Sequence, residues 1–345
     1  MREQLKKYKT KVEQKLAGFF DKKIADAKGF NKEILKHLKE FTLRGKSKRI
    51  RAFLIFTGYE AFGGGNQKEI VKASMSIELI HSFFLIHDDI IDQDELRRGK
   101  PTFHKGFEKY KDKHFGESIA IIAGDIAHTL AIESFLSTNF SLGKKLKVLQ
   151  KINQMILDSC EGENLDILLP VQKKQSSQKD ILRVYEYKTA KYTFEAPLHI
   201  GALLAGATDK DLKALSDYSI PLGIAFQIQD DILGVFGDER EIGKPVGSDI
   251  REGKKTLLVW KALQSANQTQ KKKLSQIFNQ EKISKKEVNE IRQIMIDSGA
   301  LGWTQDNAKK LGYGAQKQIS SLSRINPKAK KVLLELIDYI INRTN

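Results

Sequence analysis

Ser76-Ile77-Glu78-Leu79-Ile80-His81-Ser82-Phe83-Phe84-Leu85-Ile86-His87-Asp88-Asp89-Ile90-Ile91-Asp92-Gln93-Asp94 is the stretch that decides the fold. Its apolar residues recur at the three- and four-residue steps of a helix rather than the alternation of a strand. On that helix Asp88 and Asp92 are four apart and share a face, one turn from each other. Like charges at that spacing cost a helix about 0.2–0.5 kcal/mol, and more where apolar neighbours exclude water. The stretch contains no Lys or Arg to neutralise them. Carboxylates set beside Phe83, Phe84, Ile90 and Ile91 make a poor scaffold but a good holder of hard cations.

A second stretch, Phe226-Gln227-Ile228-Gln229-Asp230-Asp231-Ile232-Leu233-Gly234, repeats the pattern. An apolar helix again runs into adjacent carboxylates, and two such endings are hard to explain as helix caps. Cations follow both: Arg97-Arg98-Gly99 after the first, Lys244 and Lys254 after the second. Acids alternating with fixed cations suit a diphosphate bridged by Mg²⁺, with Arg and Lys holding the remaining oxygens. Upstream, Lys46-Ser47-Lys48-Arg49-Ile50-Arg51 offers a further basic group for a second phosphate-bearing substrate.

Helical periodicity dominates elsewhere. It predicts helices over Leu5–Phe20, Ile34–Leu43, Ile70–His87, Ser118–Leu136, Leu146–Asp158, Asp180–Tyr192, Leu212–Asp231 and Thr256–Leu263, then near 285–298, 303–322 and 328–342. Breaks are expected at Gly63-Gly64-Gly65, at Arg98-Gly99-Lys100-Pro101 and near Leu169-Pro170. Another falls across Gly237–Gly253, a Gly- and charge-rich segment expected to be a mobile loop. No convincing run of paired strands is present. The expectation is a single all-α domain over 1–345 with roughly ten or more helices, its motif-bearing core at about 46–255 between basic helical flanks.

Composition narrows the function. The chain has 345 residues and a net charge of +16, and residues 1–50 carry sixteen Lys/Arg against six Asp/Glu. These lysines are spread along amphipathic helices without interleaved aromatics for base stacking, so they read as a solvated surface and not as a nucleic-acid site. Part of that charge can attract polyanionic substrates. The lone cysteine, Cys160, has no internal disulfide partner and no metal-ligand spacing, and is expected to be a buried or half-buried structural thiol. The N-terminus lacks a signal-type apolar segment, and stretches such as Ile119–Leu136 are interrupted by Asp125 and His128. The expectation is a soluble cytoplasmic protein without a transmembrane segment.

With these motifs in this order, from about Lys46 to Lys255, the chain resembles the trans-isoprenyl diphosphate synthases, the farnesyl/geranylgeranyl diphosphate synthase family. Asp88–Asp92 with Arg97-Arg98-Gly99 resembles the first aspartate-rich motif, and Gln227 with Asp230-Asp231 the second. Lys48 and Arg51 match the upstream Lys-x-x-Arg, His81 the histidine seven before the first aspartate, and Lys188-Thr189 the mid-chain Lys-Thr. Lys244 and Lys254 match the loop lysines.

The resemblance implies a helical bundle around a central cavity, a homodimer and about three Mg²⁺ ions. Asp88, Asp92 and Asp230 would bind the metal, supported by Asp89 and Asp231. Arg97, Lys188, Thr189, Gln227, Lys244 and Lys254 would hold the allylic diphosphate. Lys48, Arg51, His81 and Arg98 would hold isopentenyl diphosphate.

The implied reaction is ionisation of the allylic diphosphate, head-to-tail attack by isopentenyl diphosphate, and loss of a proton. Two departures stand out: Gly234 replaces the third aspartate of the second motif, with Asp238 a turn further on, and Ser47 replaces a usual glycine. Phe84 lies one turn below Asp88 with Phe83 beside it, and in the family paired aromatics there accompany C15 products, with C20 next. The alternatives are a class I terpene cyclase, which needs no second diphosphate site, and an inactive partner subunit that binds prenyl diphosphates.

Overall fold

A computed structural model of the chain describes all residues except Lys46 and residues 173–175, 238–252, 278–279, 281–282 and 343–345. It is all-α apart from one minimal hairpin. Two compact units divide the chain: Met1–Gln150 with Pro197–Ala207, and Lys151–Ala196 with Thr208–Asn345.

The first unit contains α1 (Arg2–Asp26), α2 (Gly29–Leu43), α3 (Ile50–Ala61), α4 (Gln67–Ile91), α5 (Phe103–Glu108), α6 (Lys113–Leu136) and most of α9 (Ala196–Ala205). It also takes the start of α7 (Leu142–Val171). Two of these helices start on a capping side chain. Asn66 accepts from the Glu69 N–H at the head of α4, and Asp112 accepts from the Phe115 N–H at the head of α6. α3 escaped the periodicity reading because Ala52, Phe53, Leu54 and Ile55 are all buried, and a helix apolar on every side has no stripe.

The second unit contains the rest of α7, α8 (Gln178–Val184), a π-helix (Tyr185–Glu195), α10 (Asp209–Phe236), α11 (Leu257–Ser265), α12 (Gln268–Ile277), α13 (Lys285–Asp297), α14 (Ala300–Ser321) and α15 (Pro327–Ile341). Capping boxes open three of these helices: Ser177 with Asp180, Thr208 with Asp211, and Ser284 with Glu287. Their core joins Ile228, Ile232 and Val235 of α10 to Leu257 and Leu258 of α11 and Ile291 and Met295 of α13. α15 is tied to α10 by Tyr218 Oη donating to Leu333 O at 2.9 Å and Gln229 Nε2 donating to Ile341 O at 2.9 Å.

Two readings need correction. A hairpin of two residues per strand pairs Leu96 with Pro101 and Arg97 with Lys100, where no strand pair was expected. Its loop, Arg98-Gly99, has φ of +54° and +74°, the left-handed pair that a type I′ turn requires. The break expected near Leu169-Pro170 falls where α7 ends, at Val171. Cys160 is exposed, because α7 turns Ile152, Met155 and Ser159 inward and leaves Cys160 off that face. The segment expected to be a mobile loop lies almost wholly outside the described residues.

α4 and α6 each have the length and hydropathy of a membrane span, yet 67% of the apolar window of α4 is buried inside the fold and 44% of that of α6.

Candidate active site

The first acid cluster occupies the end of α4. Asp88 and Asp89 lie in its last turn, and Asp92 caps it, its N–H donating to Asp88 O at 2.8 Å. That turn holds no basic residue, and helix carbonyl ends carry negative partial charge. The carboxylates therefore sit where the helix itself disfavours them.

Asp89 is fully buried, and its Oδ1 accepts from Nε and lies 2.5 Å from both Nε and Nη2 of Arg97. Asp94 lies 3.6 Å from the same guanidinium. Burial disfavours the Arg97 charge, but Asp89 and its acidic neighbours outweigh that and raise its pKa. The hairpin makes this contact possible by folding Arg97 back toward α4.

Two turns up α4 is a basic cluster. Arg51 Nη1 lies 3.4 Å from His81 Nε2. Burial first, then the charges of Arg51, Arg98, Arg49 and Arg97, push His81 well below its ordinary pKa, so its imidazole is neutral. Burial, followed by Arg49 and Arg97, lowers Arg98 to about 10.

Arg49, which the sequence reading passed over, anchors this group. It is buried and has φ +54°. Its guanidinium reaches Glu78 at 2.9 Å and Glu13 at 3.0 Å and donates to Thr42 O at 2.6 Å. Arg51, His81 and Arg98 are thus gathered, while Lys48 stands exposed just before Arg49.

Phe83 and Phe84 sit below Asp88 with ring centroids 4.9 Å apart. Phe83 also packs on His87 at 4.9 Å and on His128 of α6 at 5.4 Å. Ala123 and Gly124 of α6 are buried, and the His87 ring lies against Gly124.

The second cluster is built around the π-helix, a form usually limited to a single turn and often found at functional sites. Its residues Lys188 and Ala190 are approached by two flanking helices. A Cβ at Gly162 of α7 would fall 2.3 Å from Lys188 N, and one at Gly223 of α10 would fall 2.5 Å from Ala190 Cα. Only glycine admits that contact.

Lys188 bridges Asp166 at 2.6 Å and Glu163 at 2.8 Å. Thr189 Oγ1 donates to Gln227 Oε1 at 2.7 Å, and Gln227 Nε2 donates to Asp231 Oδ1 at 2.8 Å. Tyr185 Oη donates to Asp231 Oδ2 and accepts from Leu257 N–H at 2.7 Å. Asp166, Tyr185, Lys188, Thr189, Gln227 and Asp231, with Lys254, Lys255 and Thr256, line a cavity of about 120 Å³.

The structure therefore brings Lys188, Thr189, Gln227, Asp231 and Lys254 to one cavity. Asp230 is half-buried beside Asp231 on α10, and Gly234 follows within that helix. Lys244 and Asp238 lie outside the described residues. Tyr185, Glu163 and Asp166 were missed, since nothing in local spacing marks a π-turn.

Among the described residues no three His, Cys, Asp or Glu side chains are grouped to hold one metal ion. Mg²⁺ keeps several waters and is held through one or two carboxylates plus substrate phosphates, a number of carboxylates that Asp88 and Asp92 supply.

Comparison with known proteins identifies the family. The sequence model of the family described as Polyprenyl synthetase matches residues 32–295. The chain is 34% identical to the short chain isoprenyl diphosphate synthase of Methanocaldococcus jannaschii, over 96% of this chain and 94% of that protein. It is 37% identical to the geranylgeranyl diphosphate synthase of Sulfolobus acidocaldarius, over 86% of this chain and 87% of that one. A crystal structure of geranylgeranyl pyrophosphate synthase from Corynebacterium glutamicum, complexed with isoprenyl diphosphate and magnesium, superposes with a TM-score of 0.92 at 32% identity, covering 98% of this chain and 99% of that one. The chain belongs to the polyprenyl synthetase family. Its activity is that of the class, prenyl transfer by a polyprenyl diphosphate synthase.

Proposed function

We propose that the chain joins isopentenyl diphosphate head-to-tail to an allylic diphosphate, and that its main product is C20, geranylgeranyl diphosphate. One observation carries the reaction type: α4 holds an acid cluster, and two turns away its His81 meets Arg51 of α3 and Arg98 of the hairpin loop. Asp88 and Asp92 suit a diphosphate neutralised by metal, while Arg51 and Arg98 beside His81, roughly 10 Å from the acids along α4, suit one held without metal. A cyclase needs only the first. Support for C20 comes from the geranylgeranyl synthases among the relatives. A C15 product is the second reading, favoured by the paired rings of Phe83 and Phe84 beneath Asp88.

In this reading Asp88, Asp92 and Asp230 hold about three Mg²⁺, with Asp89 and Asp231 in support. Mg²⁺ bound there supplies positive charge to the departing diphosphate. Arg97, Lys188, Thr189, Gln227, Lys244 and Lys254 orient the allylic diphosphate, and Lys48, Arg51, His81 and Arg98 orient isopentenyl diphosphate. Apolar walls such as Phe83 and Phe84 exclude water from the cation that forms.

The reading further takes the chain as one domain, because the family match runs across both units. It takes it as a homodimer, because Ile121 and Ile122 on α6 and Leu142 and Leu146 on α7 are about half exposed or more. A cytoplasmic setting is supported by the single cysteine.

The test is purified protein with Mg²⁺, isopentenyl diphosphate and each of dimethylallyl, geranyl and farnesyl diphosphate, with product lengths read by chromatography after dephosphorylation. C20 accumulation is expected. Accumulation of C15 selects the second reading, and turnover of the allylic substrate alone selects a cyclase.

A further inference from the structure

We propose that Tyr185 is a positioning residue for the second acid cluster: its hydroxyl couples the Asp231 carboxylate to the N-terminus of α11 and fixes the orientation in which Asp231 meets a Mg²⁺–diphosphate group. The inference rests on the prenyl-transfer reading above and names a residue outside its ligand set.

A phenol hydroxyl has one proton to donate and lone pairs to accept with. Tyr185 uses both kinds of site, donating to Asp231 Oδ2 and accepting from the Leu257 N–H at 2.7 Å. Leu257 is the first residue of α11, so its N–H is one of the donors a helix cannot satisfy internally. The capping side chain of Thr256 is committed to the Val259 N–H at 3.2 Å. Tyr185 therefore takes a donor that the cap does not reach. Partial positive charge at the helix N-terminus polarises the O–H toward the carboxylate, and hydrogen bonds in series strengthen one another.

The other carboxylate oxygen is held as well, by Gln227, which Thr189 holds in turn. Asp231 is thus clamped from two sides by groups on one π-helix and α10.

Packing explains why the hydroxyl is informative. The Tyr185 ring is 5% exposed, within the apolar cluster that includes Val184, Ile232 and Leu257. A phenylalanine would satisfy that packing, and burying a hydroxyl costs free energy unless it is bonded. The π-register places Tyr185 and Thr189 about one turn apart, so both reach α10. Lys254 lines the same cavity as Asp231 three residues before Leu257, so the hydroxyl also ties the placement of that lysine segment to the carboxylate.

Tyr185→Phe keeps the ring and deletes the hydroxyl. For wild type and variant, calorimetry measures the Mg²⁺ concentration at which inorganic diphosphate raises Tm, beside kcat and KM for prenyl transfer. The expected result is a ligand-free Tm within a few degrees of wild type. The Mg²⁺ requirement rises about tenfold and kcat falls about tenfold, the scale seen when a group supporting a metal ligand is lost. The KM for isopentenyl diphosphate is expected to stay unchanged.

The same substitution made in an Asp231→Asn background is expected to change the Mg²⁺ requirement less than twofold. An equal loss in both backgrounds, or no change in the single variant, overturns the proposal. If Tyr185→Phe does not fold, amide exchange of wild type decides: Mg²⁺ with inorganic diphosphate is expected to slow exchange at Leu257 about tenfold, and unchanged exchange overturns it. Calorimetry needs no turnover, so an inactive wild type defeats the prenyl-transfer reading while leaving the Tyr185 result interpretable.

Discussion

In the first unit the supporting carboxylate, Asp89, is buried against the guanidinium of Arg97; in the second its counterpart, Asp231, accepts from a phenol and a side-chain amide. Both solutions keep a buried acid hydrogen-bonded, but they differ in what they do to its charge. Arg97 offsets the charge of the buried Asp89. The donors Tyr185 and Gln227 carry no formal charge and orient Asp231 without neutralising it. Two stretches that read alike in sequence are therefore built as an ion pair in one case and as an oriented carboxylate in the other.

The sharpest way to break this contrast is to delete each supporting acid. Asp89→Asn removes one partner of a buried pair and is expected to cost about 3 kcal/mol of stability, the low end for such a loss because Asp94 lies near the same guanidinium. Asp231→Asn leaves neutral donors short of an acceptor and is expected to cost about 1–2 kcal/mol. Denaturant unfolding of both variants checks the order, and equal costs would abolish the distinction.

Next in size is Asp88→Asn. Activity is expected to fall by about 10²–10³, the scale for losing one charge-stabilising group. Stability is expected to rise by about 0.3–1 kcal/mol, since the acid leaves a helix C-terminus. A variant both inactive and destabilised would contradict the placement.

Gly223→Ala tests whether the π-helix needs its close neighbour. Overpacking against Ala190 is expected to cost about 1–3 kcal/mol, read as a lowered Tm.

The smallest expected effect concerns pH. His81 is held neutral in the fold to well below pH 6.5, whereas the unfolded chain takes up that proton near pH 6.5. The unfolded state thus binds more protons as pH drops past 6.5, and stability is lost in that direction. His81→Gln is expected to flatten the fall in Tm between pH 7.5 and 5.5. An unaltered slope would assign it to another group.

Much of this was legible beforehand. α4 and α10 announce themselves by apolar period and by their acid pairs, although α10 runs on past Asp231 to Phe236 where the sequence suggested an end. The basic cluster followed from resemblance, yet the residue that organises it, Arg49, looked like one more surface cation between Lys48 and Arg51. Its role depends on Glu78 and Glu13, which lie 29 and 36 positions away. The π-helix was hidden for a related reason. Its sequence has ordinary helical period, and the glycines that admit its backbone, Gly162 and Gly223, lie on two other helices. The contact of Phe83 with His128 of α6 is likewise something no spacing within α4 records.

The hydropathy of α4 and α6 carries a further consequence, for synthesis. α4 leaves the ribosome more than twenty residues before the start of α6, and until the two pack together it presents a stretch that passes for a membrane span. Exposed in that interval, such a segment invites aggregation or adsorption to lipid. Variants that loosen the α4–α6 contact, at Gly124 for example, are expected to appear in pellet and membrane fractions of expressing cells.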